Sequence, residues 1–264
     1  MASGKIYVGV GGWTYEPWRG PFYPDKLSQK KELEYASSKL TSIEINGTYY
    51  GAQKPESFRK WRDETPDGFV FAVKGTRYAT NRRDLSLSKD SIERFLTSGI
   101  TELKEKLGPI NWQFMATKAF DAVDFENFFR LLPASVDGVG LRHAIEVRHP
   151  SFQDPAFITL ARKYDVAVIT AADCDFPQIA DQTGACAYLR LQGSSETEDK
   201  GYSAAALDDW TVRLKALARS EAPDGLARVS DGASSPRDVY CYVISGHKVH
   251  NPAAAMALIA RLGD

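Results

Sequence analysis

The spacing of apolar residues along this chain alternates between two periods in eight successive strand–helix units. Short stretches with the two-residue period of strands alternate with longer stretches that have the 3.6-residue period of helices. The predicted strands are Lys5–Val10, Ser42–Asn46, Phe69–Lys74, Ile110–Phe114, His143–Arg148, Val166–Ala171, Ala187–Gln192 and Val239–Ile244. The predicted helices are Lys30–Leu40, Glu56–Glu64, Ser88–Leu107, Asp124–Leu132, Asp154–Tyr164, Gln178–Thr183, Ala204–Arg219 and Pro252–Leu262. Eight strand–helix units in 264 residues predict a (β/α)8 barrel of the TIM type with parallel strands, formed by residues 1–264 as a single domain.

An open, doubly wound sheet is the alternative fold. It is disfavoured because the glycines after the first predicted strand, in Gly9–Trp13, lack the G-x-G-x-x-G spacing of a phosphate-binding turn. Ser88 predicts the start of the third helix, and Gly108 with Pro109 predicts its end. Residues 220–238 are weakly apolar and predict a mobile surface loop on the barrel face opposite the site.

Charge, hydropathy and cysteine content indicate which partners and which cellular compartment are expected. The net charge of −1 means that any affinity for a polyanion must come from a local patch. No apolar run approaches the roughly 18 residues of a membrane span, so no membrane partner is expected. The first five residues lead directly into a predicted strand, so no signal peptide is expected. Three widely spaced cysteines, Cys174, Cys186 and Cys241, are typical of reduced thiols in a cytoplasmic protein.

Charged and amide side chains stand at the ends of four predicted strands. Alternate residues of a strand share a face, so Glu44 is predicted to pair with Asn46, Glu146 with Arg148, and Arg190 with Gln192, while Lys74 ends a strand of its own. Burying a charge among Ile, Val and Leu is unfavourable unless the charge is paired or solvated. The pattern therefore predicts a polar site at one end of the barrel.

Candidate catalytic residues are Glu44, Glu146 and Lys74. Glu44 has no cation beside it in the sequence, so we expect a raised pKa and the role of a general base. Arg148 is expected to hold Glu146 ionised, and Lys74, Arg148 and Arg190 are expected to hold an anionic ligand. The alternative is that these charges neutralise one another as a structural network, with Lys74 paired to Glu44 or Glu146.

Two loops supply further candidate ligand-binding residues. The first βα loop, residues 11–24, contains five aromatic residues, of which Trp13 and Tyr15 are predicted to stack on a ligand; the alternative is that the rings pack as a core. The third βα loop, residues 74–83, contains four cations and predicts attraction of phosphate or carboxylate groups through residues that include Arg77 and Tyr78. A second phosphate-binding alternative is formed by the turns 192–195 and 245–248.

Two reaction classes are disfavoured. Glycosidase barrels commonly use carboxylates on strands four and seven, where this chain has Gln113 and Arg190. The four histidines lack H-E-x-x-H spacing, so no metal site and no cofactor are predicted. A divalent metal held by His149 with Glu146 and Asp173 stays open as a weaker hypothesis.

Several motifs together resemble one known family. Residues 8–15, 17–20, 44–49, 146–150 and 188–193 resemble the YecE-like family of unknown function, also called DUF72. The resemblance implies a TIM-type barrel in a bacterial cytoplasmic protein. It also implies that the cleft residues are Trp13, Glu44, Asn46, Lys74, Glu146, Arg148, His149 and Arg190. The chain departs from the family pattern after strand four, at residues 115–117, and on strand eight, at residues 242–246.

These observations predict an enzyme that acts on an anionic ligand, phosphorylated or nucleotide-like, in a charged and aromatic cleft. The alternative is a non-catalytic module that binds nucleic acid through Arg77–Arg83 and the aromatic first loop. Whether the protein is an enzyme stays open, and no protein partner is predicted.

Overall fold

The computed structural model describes residues 3–232 and 235–263. Within them, eight parallel strands close into a barrel in which each strand pairs with its neighbours in the chain, and the last strand pairs with the first. The barrel strands are β1 (Ile6–Gly11), β2 (Ser42–Ile45), β3 (Val70–Lys74), β4 (Leu107–Gln113), β5 (His143–Glu146), β6 (Ala167–Ala172), β7 (Cys186–Leu191) and β8 (Asp238–Val243). The predicted TIM-type barrel is confirmed.

The helices surround the barrel. In the described residues they are α1 (Glu32–Ser37), α2 (Pro55–Asp63), α3 (Arg77–Thr80), α4 (Lys89–Leu96), α5 (Ala122–Arg130), α6 (Pro155–Lys163), α7 (Ala204–Ala218) and α8 (Asn251–Gly263). Local sequence explains several of their starts: the side chains of Asp121, Asp154 and Ser203 each accept a hydrogen bond from a backbone N–H in the first turn of the helix that follows. None of these helices combines the length and the apolar character that crossing a bilayer requires.

Alternation along the strands separates two buried layers. Ile43, Val73 and Leu189 belong to the larger layer between the strands and the helices. Ala72 and Tyr188, their neighbours on β3 and β7, belong to a second cluster that fills the barrel interior. The side chains that alternate with the outer layer therefore point inward, as the two-residue period predicts.

The third predicted helix is shorter than expected. It ends at Leu96 because Gly99 adopts a φ of 106°, where a side chain would place a Cβ 2.7 Å from the Cα of Pro55. Residues Ile100–Lys106 form 3-10 turns, and Gly108 with Pro109 lies inside β4 instead of ending a helix. The pairing of β4 with β3 shifts register between Phe71 and Val73, close to that proline.

The predicted helix over residues 178–183 is absent, and an irregular loop joins β6 to β7. This loop is held by other loop residues: Ala180 donates to the carbonyl of Ala227, and the carboxylate of Asp181 accepts from the backbone N–H of Val229 and Ser230. The predicted loop over 220–238 is thus fastened to the barrel through residues 227–230, while Ala233 and Ser234 lie outside the described residues.

Candidate active site at the barrel mouth

Five strands bring polar side chains to the carboxyl end of the barrel interior. Glu44 comes from β2, Lys74 from β3, Asn111 from β4, Glu146 from β5 and Arg190 from β7. All five are at least nine-tenths buried. The predicted convergence of Glu44, Lys74, Glu146 and Arg190 therefore occurs, inside the mouth of the barrel.

Four of the charges form one ion-pair network, here called the charge cluster: Glu44, Glu146, Arg148 and Arg190. Arg190 Nη2 lies 2.9 Å from Glu44 Oε1, and Arg190 Nη1 lies 2.5 Å from Glu146 Oε2. Arg148 donates to Glu146 Oε1 from Nε at 2.9 Å and from Nη2 at 2.8 Å. Each carboxylate oxygen of Glu146 is thereby occupied by an arginine, which supports the expectation that Glu146 is held ionised.

Neutral side chains complete the cluster, and they were not among the predicted site residues. Tyr188 OH lies 2.5 Å from Glu44 Oε2, and Asn111 Nδ2 donates to the same oxygen at 3.1 Å. Gln113 Oε1 accepts from Arg148 Nη2 at 3.0 Å. Tyr188 stands two residues before Arg190 on one strand, so the alternation that indicated Arg190 also applies to it.

The expectation of a raised pKa for Glu44 is wrong. Burial acts to raise the pKa of this carboxyl group, but the charges of Arg190 and Lys74 and the hydrogen bonds from Tyr188 and Asn111 outweigh it and lower the pKa below its ordinary value. Glu44 is therefore an ionised acceptor at neutral pH and is unsuited to general-base work. The pKa of Glu146 is lowered in the same way, against the effect of its burial, chiefly by Arg190 and Arg148.

Lys74 differs from the other charges because it has no ionic partner among the described residues. Its Nζ makes no hydrogen bond or ion pair with any residue in 3–232 or 235–263, and it lies 4.7 Å from the ring centroid of Tyr49. The alternative of a direct pair with Glu44 or Glu146 is therefore not observed. Burial and repulsion by Arg190 lower the pKa of Lys74 to about 8, although Glu44 and Glu146 oppose the shift. The pKa of Lys74 is thus lowered towards neutral pH, and its amine is available to act on a ligand.

A cleft of about 400 Å³ opens beside the cluster, over the ends of β1 and β2. Its walls include Trp13, Asn46, Trp61 and Lys248. Trp13 meets Trp61 edge to face with ring centroids 5.1 Å apart, and Asn46 Oδ1 is buried without a hydrogen-bond partner among the described residues. Two predicted ligand-binding residues, Trp13 and Asn46, thus line a cavity large enough for a small molecule.

The remaining rings of the first βα loop divide into two groups. Lys248 Nζ lies 4.1 Å from the ring centroid of Tyr15, which places Tyr15 at the rim of this cleft. Trp18, Phe22 and Tyr23 are buried and pack against one another, so they offer no surface for stacking. The packing alternative therefore holds for three of the five rings.

The third βα loop turns away from the charge cluster. Arg77 lies between two exposed rings, 5.7 Å from the centroid of Tyr50 and 5.4 Å from that of Tyr78. Arg82 and Arg83 are exposed. Arg77 and Tyr78 therefore belong to the outer rim and not to the charged interior.

Two predicted site residues have local structural roles. His149 accepts from the backbone N–H of Ser151 through Nδ1 and so caps a 3-10 turn. Gln192 Nε2 lies 3.4 Å from Cys174 Sγ, beside the cluster and not in it. Asp173, the third residue of the metal hypothesis, accepts from Trp210 Nε1 at 3.2 Å. In the part of the chain that the structure describes, no group of three or more His, Cys, Asp or Glu side chains is placed to hold a metal ion.

Backbone N–H groups of the turns after β7 and β8 donate to nearby backbone carbonyl groups. The backbone N–H of His247 donates to the carbonyl of Ser194, and that of Ser195 to Gly201. A Cβ on Gly246 would lie 2.5 Å from the Ser194 carbonyl oxygen, so the two turns are in direct contact. This packing leaves little room for a phosphate at this alternative phosphate-binding position.

The closed barrel and the charged strand ends define a TIM-barrel protein with a polar site at the carboxyl face of the strands. Residues 7–264 match the family model described as "Protein of unknown function DUF72", and the chain belongs to this family. The predicted membership is confirmed.

Named relatives and a solved structure agree with this assignment. The UPF0759 protein YunF of Bacillus subtilis is 28% identical over 183 residues, which cover 67% of this chain and 62% of YunF. The UPF0759 protein YecE of Escherichia coli K12 is 29% identical over 147 residues, covering 56% of this chain and 50% of YecE. The matched segments therefore span only half to three-fifths of these relatives. A crystal structure of a DUF72 family protein from Thermotoga maritima superposes with a TM-score of 0.72 at 21% identity, covering 97% of each chain, and this likeness supports the barrel fold.

Proposed function

We propose that the protein is an enzyme that acts on a small anionic ligand, phosphorylated or nucleotide-like, at the barrel mouth. In this proposal, Lys74 is the group that takes a proton from the ligand and returns one to it. The observation that carries the proposal is the buried amine of Lys74, which makes no ion pair or hydrogen bond with any described residue and lies beside a cluster whose other charges are paired. Lysines used as bases or nucleophiles are commonly activated in this way, by burial and by neighbouring cations.

Electrostatics favours an anion at this site. The carboxylates of Glu44 and Glu146 are balanced by the guanidinium groups of Arg148 and Arg190, so protonated Lys74 gives the mouth one excess positive charge. Arg148 keeps about 21% of its side chain exposed and can donate to a ligand while it stays bonded to Glu146. A ligand held by Lys74 and Arg148 would thus complete the charge balance of the mouth.

The lowered pKa suits Lys74 to proton transfer near neutral pH. With a pKa of about 8, roughly a tenth of the amine is neutral at pH 7, compared with less than one part in a thousand for an ordinary lysine. The neutral amine can take a proton from the ligand, and the ammonium form can return one. Glu44 and Glu146 act as positioning residues that hold Arg190 and Arg148 in place.

The nucleic-acid alternative is less favoured by the geometry. It relied on the aromatic first loop together with Arg77–Arg83, and three of the five rings in that loop are buried. The cations that remain exposed lie on the outer rim. Binding of single-stranded DNA or RNA that weakens steeply as salt rises would favour this alternative over the proposal.

A cytoplasmic location is part of the proposal. It is supported by the three free cysteines, two of which are buried in the barrel core. Free buried thiols are typical of proteins kept in a reducing compartment.

Thermal shift measurements test the proposal. Inorganic phosphate and sugar phosphates, which carry no flat ring, are screened for compounds that raise the Tm of the wild-type protein. We expect Lys74→Met to abolish the shift while the variant stays folded, and Lys89→Met, an exposed lysine on α4, to leave it unchanged. The proposal is wrong if no anionic compound raises the Tm, or if Lys74→Met responds like the wild type.

A further inference from the structure

A second cavity, separate from the barrel mouth, lies between the third βα loop and α4. Its volume of about 370 Å³ is within the range of small-molecule sites. The polar part of its lining consists of Thr48, Thr76, Arg82, Ser91 and Arg94, and the rest is Ala52, Tyr78 and Phe95. We call this cavity the arginine pocket. None of its lining residues belongs to the charge cluster or to the cleft over β1 and β2.

The sequence builds the pocket from two neighbouring segments. Ser91, Arg94 and Phe95 are spaced i, i+3 and i+4 on α4, so they share one face of that helix. Thr76 follows β3 and begins α3, where its hydroxyl accepts from the backbone N–H of Tyr78. The chain then turns back and brings Arg82 against α4, so the two arginines reach one cavity from different elements.

Neither arginine has a counter-charge within residues 3–232 and 235–263. Arg82 donates from Nε to the carbonyl of Tyr78 at 3.0 Å and from Nη2 to Ser91 Oγ at 3.2 Å, and both of these partners are neutral. Arg94 makes no hydrogen bond or ion pair with any residue that the structure describes. The lining contains no carboxylate. Two guanidinium groups without anionic partners are therefore directed at a partly enclosed space, which is the arrangement that binds phosphate strongly.

Aromatic surface adjoins the two arginines. Tyr78 is 57% exposed although it lines the pocket, while Phe95 is buried and forms part of its wall. A flat ring on a ligand could lie against Tyr78 while its anionic group meets the guanidinium groups. The pocket thus offers an apolar and a cationic contact within one cavity.

We propose that the arginine pocket binds a small molecule composed of a flat ring and a phosphate group, such as a nucleoside monophosphate. Two guanidinium groups match the charge of one phosphate, and the cavity has the volume of a single small ligand. Thr48 Oγ1, on the pocket wall, donates to the backbone carbonyl of Lys74 at 2.6 Å, but Lys74 contributes no side-chain atom to the lining. Binding here is therefore independent of the function proposed for Lys74.

Calorimetric titration of the full chain with adenosine monophosphate tests the proposal, with adenosine and inorganic phosphate as separate probes at about 0.15 M ionic strength. We expect adenosine and phosphate each to bind at least about tenfold more weakly than the monophosphate, because each provides only one of the two contacts. Arg94→Gln, an exposed substitution that should not disturb folding, is expected to weaken binding by about tenfold or more. Arg82→Gln should have the same effect.

Two matched variants define the site. Arg83→Gln changes an exposed arginine of the same loop that does not line the pocket, and it should leave the affinity unchanged. Titrating Lys74→Met and the double variant Lys74→Met/Arg94→Gln separates this pocket from the barrel mouth, because the binding that remains in the first variant should be lost in the second. The proposal is overturned if the monophosphate does not bind, if Arg94→Gln binds it as tightly as the wild type, or if a single-stranded oligonucleotide binds where the monophosphate does not.

Discussion

Arg190 reaches across the interior of the barrel to Glu44, with Nη2 2.9 Å from Oε1. The two residues lie on β7 and β2, which are not neighbours in the sheet, so the ion pair joins two separate parts of the barrel wall. Both side chains are almost fully buried. Removing one partner of such a pair leaves an uncompensated charge in a medium that solvates it poorly, and the folded state is therefore sensitive to either substitution.

Glu44→Gln should lower the free energy of unfolding by about 3–5 kcal/mol, because Arg190 keeps only Glu146 as an ionic partner. Urea denaturation at neutral pH measures the loss. Glu126→Gln is the matched control, since Glu126 pairs with Lys163 at the surface, and its loss should be much smaller. Equal losses in the two variants would show that the buried pair has no special role.

Acidic pH should lower the free energy of unfolding, because it protonates the buried carboxylates of Glu44 and Glu146. The pKa values of Glu44 and Glu146 are lowered in the folded state, so their contribution is fully present above the unfolded value near 4.5 and is lost as the pH falls through the folded values. The free energy of unfolding should therefore decrease below about pH 4.5, and the decrease should be shallower in Glu44→Gln. Denaturation curves recorded from pH 7 to pH 3 test this, and parallel curves for the two proteins would contradict it.

Lys74→Met should stabilise the protein at pH 7, by about 1–3 kcal/mol, because it removes a buried charge that has no ionic partner among the described residues. The pKa of Lys74 is about 8 when folded, against an ordinary value of 10.5, so the unfolded chain binds more protons between these two values. The free energy of unfolding of the wild type therefore increases as the pH rises between these two pKa values. The difference in free energy of unfolding between Lys74→Met and the wild type should decrease over the same range. Urea denaturation at pH 7 and pH 10 measures both effects, with Lys89→Met as the exposed control. A destabilised Lys74→Met at pH 7 would indicate a structural ion pair instead.

Tyr188→Phe removes the hydroxyl that donates to Glu44 and keeps the ring in the barrel interior. The expected loss is about 1.5–3 kcal/mol, since the hydrogen bond is to a charged group. Tyr242→Phe is a close control, because its hydroxyl pairs at 2.8 Å with the neutral hydroxyl of Ser42 and its loss should be about 0.5–1.5 kcal/mol. Thermal denaturation of both variants gives the comparison, and a larger loss for Tyr242→Phe would count against an ionised Glu44.

The fold was largely predictable because local patterns determine it. Alternation placed Glu44 and Arg190 on inward faces, and the structure has them there. The misassigned segments are those where tertiary contacts decide the conformation. Gly99 ends a helix because it packs against Pro55, and residues 178–183 pair with a distant loop instead of forming a helix.

The site was only partly predictable for a similar reason. Sequence adjacency identified Arg148 as the partner of Glu146, but Glu44 receives its cation from a residue 146 positions away. A pKa depends on such distant partners, so the expectation for Glu44 had the wrong direction. Asn111 and Tyr188 are uncharged, so the pattern of charged residues at strand ends did not indicate them. Their hydrogen bonds to Glu44 are seen only in the structure.

Lys74 has an amine of lowered pKa at the barrel mouth, without an ionic partner among the described residues. Titration of the lysine side chains by NMR, after reductive methylation with a labelled methyl group, measures it directly. We expect one resonance, missing in Lys74→Met, that titrates near pH 8 and whose midpoint moves to higher pH when a mouth-binding anion is added. A Lys74 resonance that titrates at pH 10 or above, or that no anion shifts, would contradict it.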